Sequence, residues 1–286
     1  MNKIKTSFFQ LLPKFNDVEF NLKLIENILN KNKEEISKSN LVVFPEYSFS
    51  GPLNLDSFKS YLAQLDKIDL ISRLKEISLS YPKVTFVFGS AILKDANSDK
   101  YKNTTLVIKN KKEIIRYSKK ALIYNENHLC KSDDEYPIFE VEGKKVGLAI
   151  CWDAILPEVF RKYVGRVDLI VVPSFWGVGG NALQAKYSFS LEKKYYSSLC
   201  ITRCYENSFA LLFVNSVGKY TSPHYSDRIM GGSLAVMPPL GETYKTNNKK
   251  HEFLHQVEFN FDQLDKYREF YATDKDFEYY KSKEIF

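Results

Sequence analysis

The sequence predicts an α/β fold in a single domain, and three observations support this prediction. Nine short segments rich in Val, Ile and Phe have the character of strands, and helical segments lie between them. No linker rich in Pro, Gly or Ser, no charge block and no internal repeat divides the 286 residues. The composition, with 44% hydrophobic and 27% charged residues, is that of a soluble globular protein.

The nine predicted strands are short and strongly apolar, which is typical of a sheet that is buried on both faces. They are Lys5–Leu11, Leu41–Phe44, Val84–Phe88, Thr104–Lys109, Gly147–Ile150, Leu169–Val172, Ala210–Val214, Ser233–Val236 and Phe253–Phe259. Two helices are predicted at Val18–Lys31 and Leu65–Ser80, because apolar residues recur there at spacings of three and four. Two further helices are predicted at Pro157–Lys162 and Leu183–Tyr205.

The longest predicted helix, Leu183–Tyr205, carries a row of large side chains at every fourth position. The row consists of Tyr187, Leu191, Tyr195 and Leu199. We expect this row to pack on a sheet. Cys200 and Cys204 lie on the same helix, also four residues apart, and we interpret their spacing as helix packing because no second pair of thiols lies nearby.

The charge pattern argues against nucleic-acid binding. The 41 Lys and Arg residues exceed the 35 Asp and Glu residues by six, but they are scattered among the acids and form no basic stripe. No stretch approaches the ~20 apolar residues of a membrane span. The short apolar run near the start is broken by Gln10, Pro13 and Lys14, so it makes a poor signal peptide. We therefore expect a cytoplasmic protein that binds neither nucleic acid nor a membrane.

Cys151 is a candidate nucleophile because of its place between a strand and a helix. It follows the apolar segment VGLAI and precedes WDAILPEVFR, which opens a helix. A cysteine there would lie at the carboxyl edge of the sheet, where ligands bind in open α/β sheets, and nearby backbone N–H groups would favour its thiolate. The alternative is a buried, inert side chain, which is the commoner role of a single cysteine.

Two charged residues occupy similar positions. Glu46 closes the apolar run LVVFPE, and partial burial there would raise the pKa of its carboxyl and make it a competent general base. Lys119 follows a strand-like segment in IIRYSKKAL, and beside a cysteine it would lower the pKa of the thiol and stabilise an oxyanion. On their own, such residues are more often solvated surface groups.

Together these segments resemble the nitrilase superfamily of carbon–nitrogen hydrolases along nearly the whole chain. FPEYSFSG resembles the family's block around its catalytic glutamate, which Glu46 matches. YSKKAL resembles the block Y-R-K-x-H-L, in which Lys119 matches the catalytic lysine. GLAICWDAILPEVFR resembles the block G-x-x-I-C-Y/W-D-x-x-x-P-E-x-x-R, in which Cys151 matches the nucleophile. Ala121 replaces the usual His and Ser118 the common Arg, which leaves Lys120 as the alternative lysine.

The resemblance implies a four-layer α-β-β-α sandwich, in which two mixed β-sheets pack face to face in one domain. It also implies that Cys151 attacks a small amide or N-carbamoyl carbon and forms a thioester, while Glu46 acts as the base and Lys119 holds the oxyanion. A second family glutamate, which positions the lysine and the substrate, falls on Glu126, with Glu135 as the alternative. The mechanism requires no metal and no organic cofactor.

Other functions are compatible with the same site. Nitrile hydrolysis is one, although true nitrilases usually carry Glu where this chain has Asp153. Acyl transfer to an amine would use the same thioester, and a non-catalytic scaffold of the same fold is an alternative of a different class. The resemblance implies a homodimer or a larger homo-oligomer, and we expect a hydrolase domain at 1–266 and a tail at 267–286 that lies at a subunit interface.

Four aromatic residues adjoin the catalytic blocks and are candidates for a substrate-binding wall. They are Tyr47, Trp152, Phe175 and Trp176. A place in the core explains them equally well. Arg161 could meet a substrate carboxylate, although a surface ion pair is the commoner role for such a residue.

Two short motifs suggest other chemistry. HEFLH, residues 251–255, matches the zinc-protease pattern H-E-x-x-H, but the alternation that follows it predicts a strand, on which the two histidines would be ~13 Å apart and too far for one zinc ion. GVGGN, residues 177–181, lacks the Lys and Ser/Thr of a phosphate-binding loop. We expect it to be a flexible loop beside the pocket.

Overall fold

The structure, a computed structural model, describes residues 2–96, 98–123, 126–179, 189–223, 226–246, 253–271 and 273–283. The strands in these residues are β1 (Lys3–Phe9), β2 (Leu41–Val43), β3 (Thr85–Lys94), β4 (Tyr101–Lys109), β5 (Lys112–Ser118), β6 (Phe139–Val141), β7 (Lys144–Leu148), β8 (Leu169–Ser174), β9 (Ala210–Asn215), β10 (Val217–Thr221), β11 (Ser226–Met230), β12 (Leu234–Met237), β13 (Gly241–Lys245) and β14 (Leu254–Asn260). The helices are α1 (Val18–Lys31), α2 (Lys33–Ser37), α3 (Leu55–Leu65), α4 (Leu70–Leu79), α5 (Pro157–Arg161), α6 (Phe189–Asn207), α7 (Asp262–Tyr271) and α8 (Thr273–Ser282).

Two mixed sheets form the centre of the fold. Their strand orders are β14-β1-β2-β3-β4-β5 and β13-β12-β9-β8-β7-β6. Strands β1, β2 and β3 are parallel in the first sheet, as are β7, β8 and β9 in the second. The flanking strands pair antiparallel, and β10 and β11 form a separate two-stranded ribbon. The parallel strands bring their carboxyl ends to one edge of each sheet.

The alternation of side chains along the central strands creates the layers. Leu41 and Val43 belong to the buried cluster that includes Leu148 and Val171 of the second sheet. Val42, between them, belongs instead to the cluster shared with α1 and α4. Because successive strand residues point to opposite faces, one face of the first sheet packs on the second sheet and the other on helices. The fold is therefore the expected four-layer α-β-β-α sandwich.

All nine predicted strands are confirmed, with ends that differ by a few residues. The helix predicted at Val18–Lys31 is confirmed without change as α1. The prediction of one helix over Leu65–Ser80 is wrong at its start, because Leu65 ends α3 and a new helix begins at Leu70. The Asp69 side chain accepts a hydrogen bond from the Ser72 N–H at 3.0 Å and so caps the new helix.

The expected packing face of the long helix is wrong at Leu191 and Tyr195, although Leu199 packs against the core. Leu191 is 59% exposed and Tyr195 45% exposed, whereas Tyr196, Cys200 and Cys204 are fully buried. The buried row has the same spacing of four but lies one residue further along, and its short cysteine side chains let α6 lie close to the second sheet. The packing role of the two cysteines is confirmed, while Tyr187 and the predicted start of this helix at Leu183 lie outside the described residues.

Helix α7 runs across the expected end of the hydrolase domain at residue 266. Its Tyr267 hydroxyl donates to the Tyr205 carbonyl at 3.1 Å, and the Arg268 guanidinium pairs with Asp168 at 2.8 Å. The first turns of the tail are thus fixed to the body of the protein, and the role of the tail at a subunit interface stays a prediction. In the described part of the chain, none of the helices is long and apolar enough to cross a bilayer.

Candidate active site

The four candidate catalytic residues come from four segments that meet at one cavity. Glu46 follows β2, Lys119 follows β5, Glu126 opens a 3₁₀ turn at Glu126–His128, and Cys151 opens another at Cys151–Ile155. All four line the same cavity, whose volume is about 700 Å³. This volume is enough for a small-molecule substrate.

The turn that carries Glu46 packs very closely on β3. A Cβ atom at Gly89 would lie 1.9 Å from the Pro45 carbonyl oxygen, and Gly89 has a positive φ of +30°. Only glycine allows this approach. Glu46 is then fixed from the second sheet, because its Oε2 accepts a hydrogen bond from the Phe175 N–H at 3.1 Å.

Lys119 lies between two buried carboxylates. Its Nζ is 2.8 Å from Oε1 of Glu46 and 2.8 Å from Oε2 of Glu126. The Asn103 amide donates to the same two side chains, at 3.0 Å to Glu46 and 2.7 Å to Glu126. The Tyr47 hydroxyl donates a further bond to Glu126. Each carboxylate is therefore held by at least two donors, which fixes the cluster before any substrate binds.

The electrostatics of the cluster follow from burial and from the two ion pairs. Burial raises the pKa of Glu46 and outweighs the lowering effect of Lys119. Burial lowers the pKa of Lys119, but Glu46 and Glu126 more than offset this and hold the pKa well above its usual range. Burial also raises the pKa of Glu126, yet Lys119 and the donors around it bring that pKa below its ordinary value. Glu46 is thus the carboxylate better suited to take up a proton.

Cys151 lies at a sharp change of backbone direction, with a φ of +45°. Such a conformation is unfavourable for a residue with a Cβ and is often found at functional sites. Burial and the nearby Glu46 carboxylate raise the pKa of the thiol, while Lys119 and the Ser174 and Phe175 groups beside it oppose the rise. The neutral thiol is therefore favoured in the resting site, so an attack on a substrate requires a base to remove its proton.

Asp153 fixes the nucleophile turn relative to the lysine segment. Its Oδ1 accepts from the N–H groups of Lys120 at 2.9 Å and Ala121 at 2.6 Å. Its Oδ2 accepts from the Ile150 N–H at 2.8 Å and from the Tyr117 hydroxyl at 2.8 Å. Because Asp153 is fully buried, these four bonds set the position of Lys119 against Cys151.

The four aromatic candidates, for which a place in the core was an equally good interpretation, all line the cavity. Trp152 and Trp176 lie with ring centroids 5.1 Å apart, and Tyr47 and Phe175 meet edge to face at 6.1 Å. Arg161 does not line the cavity. The cavity wall is therefore aromatic next to the charged cluster.

The structure also distinguishes between the alternative lysines and between the alternative glutamates of the site. Lys120 extends away from the cluster and pairs with Asp133 at 2.5 Å, and Glu135 is exposed. Lys119 and Glu126 are the residues that the fold brings to Glu46 and Cys151. Sequence reasoning missed Asn103, which lies on β4 in the middle of an ordinary strand pattern, and it missed the hydrogen bonds of Asp153.

The motifs HEFLH and GVGGN have ordinary structural roles in the residues that the structure describes. His255 lies on the predicted strand, β14, and its ring nitrogen is 3.0 Å from the Tyr244 hydroxyl. His251 lies outside the described residues. Gly177, Val178 and Gly179 line the cavity, as expected for the glycine-rich loop, and its last two residues, 180 and 181, lie outside the described residues. Within the described ranges, no group of three or more His, Cys, Asp or Glu residues is arranged to hold a metal ion.

The sequence pattern of the carbon–nitrogen hydrolase family matches residues 5–269, and the chain belongs to this family. A probable nitrilase of Schizosaccharomyces pombe is 24% identical over 95% of this chain and 94% of its own length. An (R)-stereoselective amidase of a Pseudomonas species is 24% identical over 99% of this chain and 92% of its own length. The crystal structure of a carbon–nitrogen hydrolase from Helicobacter pylori superimposes with a TM-score of 0.80 at 18% identity, covering 96% of this chain and 95% of that chain.

Proposed function

We propose that this carbon–nitrogen hydrolase cleaves a small amide or N-carbamoyl compound through a thioester formed on Cys151, and releases ammonia or an amine. The observation that carries the proposal is that a thiol, a carboxylate of raised pKa and an ammonium group lie together on the wall of one cavity. These are the nucleophile, the base and the oxyanion donor that acyl transfer requires.

In the first half of the reaction, Glu46 takes the proton from the Cys151 thiol as the sulfur attacks the carbonyl carbon. The new carbon–sulfur bond leaves the negative charge on the carbonyl oxygen, where the Lys119 ammonium and the backbone N–H of Trp152 stabilise it. Glu46 then gives its proton to the leaving nitrogen as the carbon–nitrogen bond breaks. Ammonia or an amine leaves, and the acyl group remains on Cys151 as a thioester.

In the second half, Glu46 removes a proton from a water molecule that attacks the thioester. The carbon–sulfur bond breaks, the sulfur takes the proton from Glu46 and becomes the thiol again, and the acid leaves. Glu126 does not move a proton in this scheme. With Tyr47 and Asn103 it keeps Lys119 in place through both halves.

The test is ammonia release from a panel of small amides, ω-amides, N-carbamoyl amino acids and nitriles. We expect the wild type to act on one class, Cys151→Ala to be inactive, and Cys200→Ala, a change in a buried cysteine on α6, to stay active. The class that reacts distinguishes amide, carbamoyl and nitrile hydrolysis. If no compound of the panel releases ammonia, and the intact mass of the protein shows no Cys151 adduct after treatment with an acylating probe, a non-catalytic scaffold is favoured.

We also propose that the chain works as a homodimer or larger homo-oligomer with its tail at the interface. Helix α7 carries Phe270, which is 80% exposed, and Tyr271, which is 53% exposed. Exposed aromatic side chains close together are common at protein interfaces. Sedimentation equilibrium of the wild type and of Phe270→Ser tests this, because a monomeric wild type contradicts the proposal.

A further inference from the structure

Glu192 is an acidic residue of the cavity wall that the proposed mechanism does not use. It lies on α6, is half-buried, and lines the same cavity as Cys151. Its Oε1 accepts a hydrogen bond from the Trp176 indole N–H at 2.9 Å. Within the described residues, the structure gives its Oε2 no hydrogen-bond or ion-pair partner. One oxygen of a positioned carboxylate thus remains able to bind a ligand.

The position of Glu192 is fixed through Trp176. The indole of Trp176 is 4% exposed and contacts three other aromatic rings of the body, with centroids at 6.2 Å to Tyr195, 6.0 Å to Tyr196 and 6.3 Å to Phe213. On its other side it lies 5.1 Å from Trp152, the neighbour of the nucleophile. The carboxylate is therefore held at a set place relative to the reacting centre.

Asp227 also lines the cavity, beside the glycine-rich loop that includes Gly177, but its role differs from that of Glu192. Its Oδ1 accepts from the N–H groups of Val178 at 3.2 Å and Arg228 at 2.7 Å, and its Oδ2 accepts from the Gly179 N–H at 3.1 Å. A Cβ atom at Gly177 would lie 2.1 Å from Oδ2, so this position needs glycine. Asp227 shapes the loop and adds negative charge, but its oxygens are already occupied.

The described residues of the cavity wall carry more negative than positive charges. Among the described residues of the wall, Lys119 is the one cation, and it is already paired with Glu46 and Glu126. Glu192 and Asp227 add two further negative charges. A substrate carboxylate would be repelled there, whereas an ammonium group would be attracted and could also lie against the aromatic rings of the wall.

We infer that Glu192 is a specificity-determining residue that selects amides with a positively charged amine at the end remote from the scissile bond, and that it rejects amides with a carboxylate there. The reaction in which this selection acts is the proposed hydrolysis, so the inference rests on that function. Glu192 contacts the remote ammonium group and takes no part in bond cleavage.

A kinetic test compares three amides of matched length: 5-aminopentanamide, hexanamide and the monoamide of adipic acid. We expect kcat/KM to fall in that order. Glu192→Gln keeps an acceptor for Trp176 and removes the charge, so it should lower kcat/KM for 5-aminopentanamide roughly tenfold to hundredfold, the usual worth of a charged hydrogen bond. It should leave hexanamide unchanged and improve the monoamide. Glu206→Gln, the same change on an exposed part of α6, should alter none of the three.

A binding test does not depend on catalysis. Pentylammonium and pentanoate carry opposite charges and no scissile bond, and calorimetric titration measures their affinity for the wild type, Glu192→Gln and Glu206→Gln. We expect the wild type to bind pentylammonium at least tenfold more tightly, and Glu192→Gln to lose this preference.

Equal binding of the two probes, tighter binding of pentanoate, or a preference that survives in Glu192→Gln overturns the inference. Failure to release ammonia from any amide refutes the proposed function instead, while the two charged probes still decide whether Glu192 gives the cavity its preference.

Discussion

Replacing Lys119 with Met tests the electrostatics on which the proposed chemistry depends. The ammonium group is the shared partner of Glu46 and Glu126, at 2.8 Å from each, and all three side chains are almost fully buried. Met retains much of the length and volume of the side chain but leaves two carboxylates without their cation. Removing one partner of a buried ion pair costs roughly 3–5 kcal/mol. We expect a loss of that size in the free energy of unfolding at pH 8.

The loss should depend on pH in a direction that follows from the ion pairs. Without Lys119 the pKa values of Glu46 and Glu126 rise in the folded state above the unfolded value of ~4.3. The folded variant then binds more protons than the unfolded chain, so its stability decreases as pH rises through the raised pKa values. In the wild type the lowered pKa of Glu126 has the opposite effect, because stability present above ~4.3 is lost as pH falls. The cost of Lys119→Met should therefore be smaller at pH 5 than at pH 8.

Urea unfolding followed by tryptophan fluorescence at the two pH values measures both effects. Lys38→Met is the matched control, because Lys38 also pairs with a glutamate, Glu34, at 2.6 Å, but on the solvent-exposed surface. It should change stability little. If Lys119→Met is as stable as the control at pH 8, or if its deficit does not depend on pH, the assignment of a buried, charged cluster is wrong.

Two further predictions concern the same site. In Asp153→Asn only one of the two terminal side-chain atoms can accept hydrogen bonds, so two of the four donors around Asp153 lose their partners, at roughly 1–3 kcal/mol each. The free energy of unfolding, measured with urea, and kcat should both fall. Asp134→Asn, a change at an exposed residue, should alter neither. The pH profile of kcat/KM should lose activity on the acid side at an apparent pKa above the ordinary glutamate value of ~4.3, because burial raises the pKa of Glu46 and the base must be ionised.

Either result could contradict the geometry. A stable and fully active Asp153→Asn variant would mean that the lysine segment and the nucleophile turn hold their positions without this carboxylate. An acid limb at or below ~4.3 would mean that the proton acceptor is solvated, or that Lys119 outweighs burial at Glu46.

The sequence predicts those parts of the fold in which one local pattern decides the structure. Helix α1 was predicted without error from its apolar spacing, and in the structure the Asp17 side chain caps the helix at the same start. The break before α4 was missed, since the apolar spacing continues from Leu65 to Leu70 while the cap at Asp69 interrupts the helix. On α6, two rows of residues compete, each with a spacing of four and offset from the other by one residue, and local spacing does not show which row is buried.

In the candidate site, too, local sequence indicates some residues and not others. Glu46, Lys119 and Cys151 each lie within a recognisable sequence block, so their positions could be inferred by resemblance. Asn103 has no such signal, because an asparagine in a strand becomes part of the site only when β4 lies between the segments that carry Glu46 and Glu126. Contacts that depend on sheet order cannot be read from local spacing.

The same limit explains why Glu192 is absent from any local reading of the sequence. It is one of several charged residues on a polar helix, and its role depends on Trp176, which lies 16 residues earlier in the chain and donates a hydrogen bond to it on the cavity wall. The catalytic residues Cys151 and Lys119 set which bond is cleaved, whereas the charge of the remote wall sets which molecules reach them. Because the two functions reside in separate side chains, a change at Glu192 should alter the choice of substrate while leaving the acyl chemistry intact.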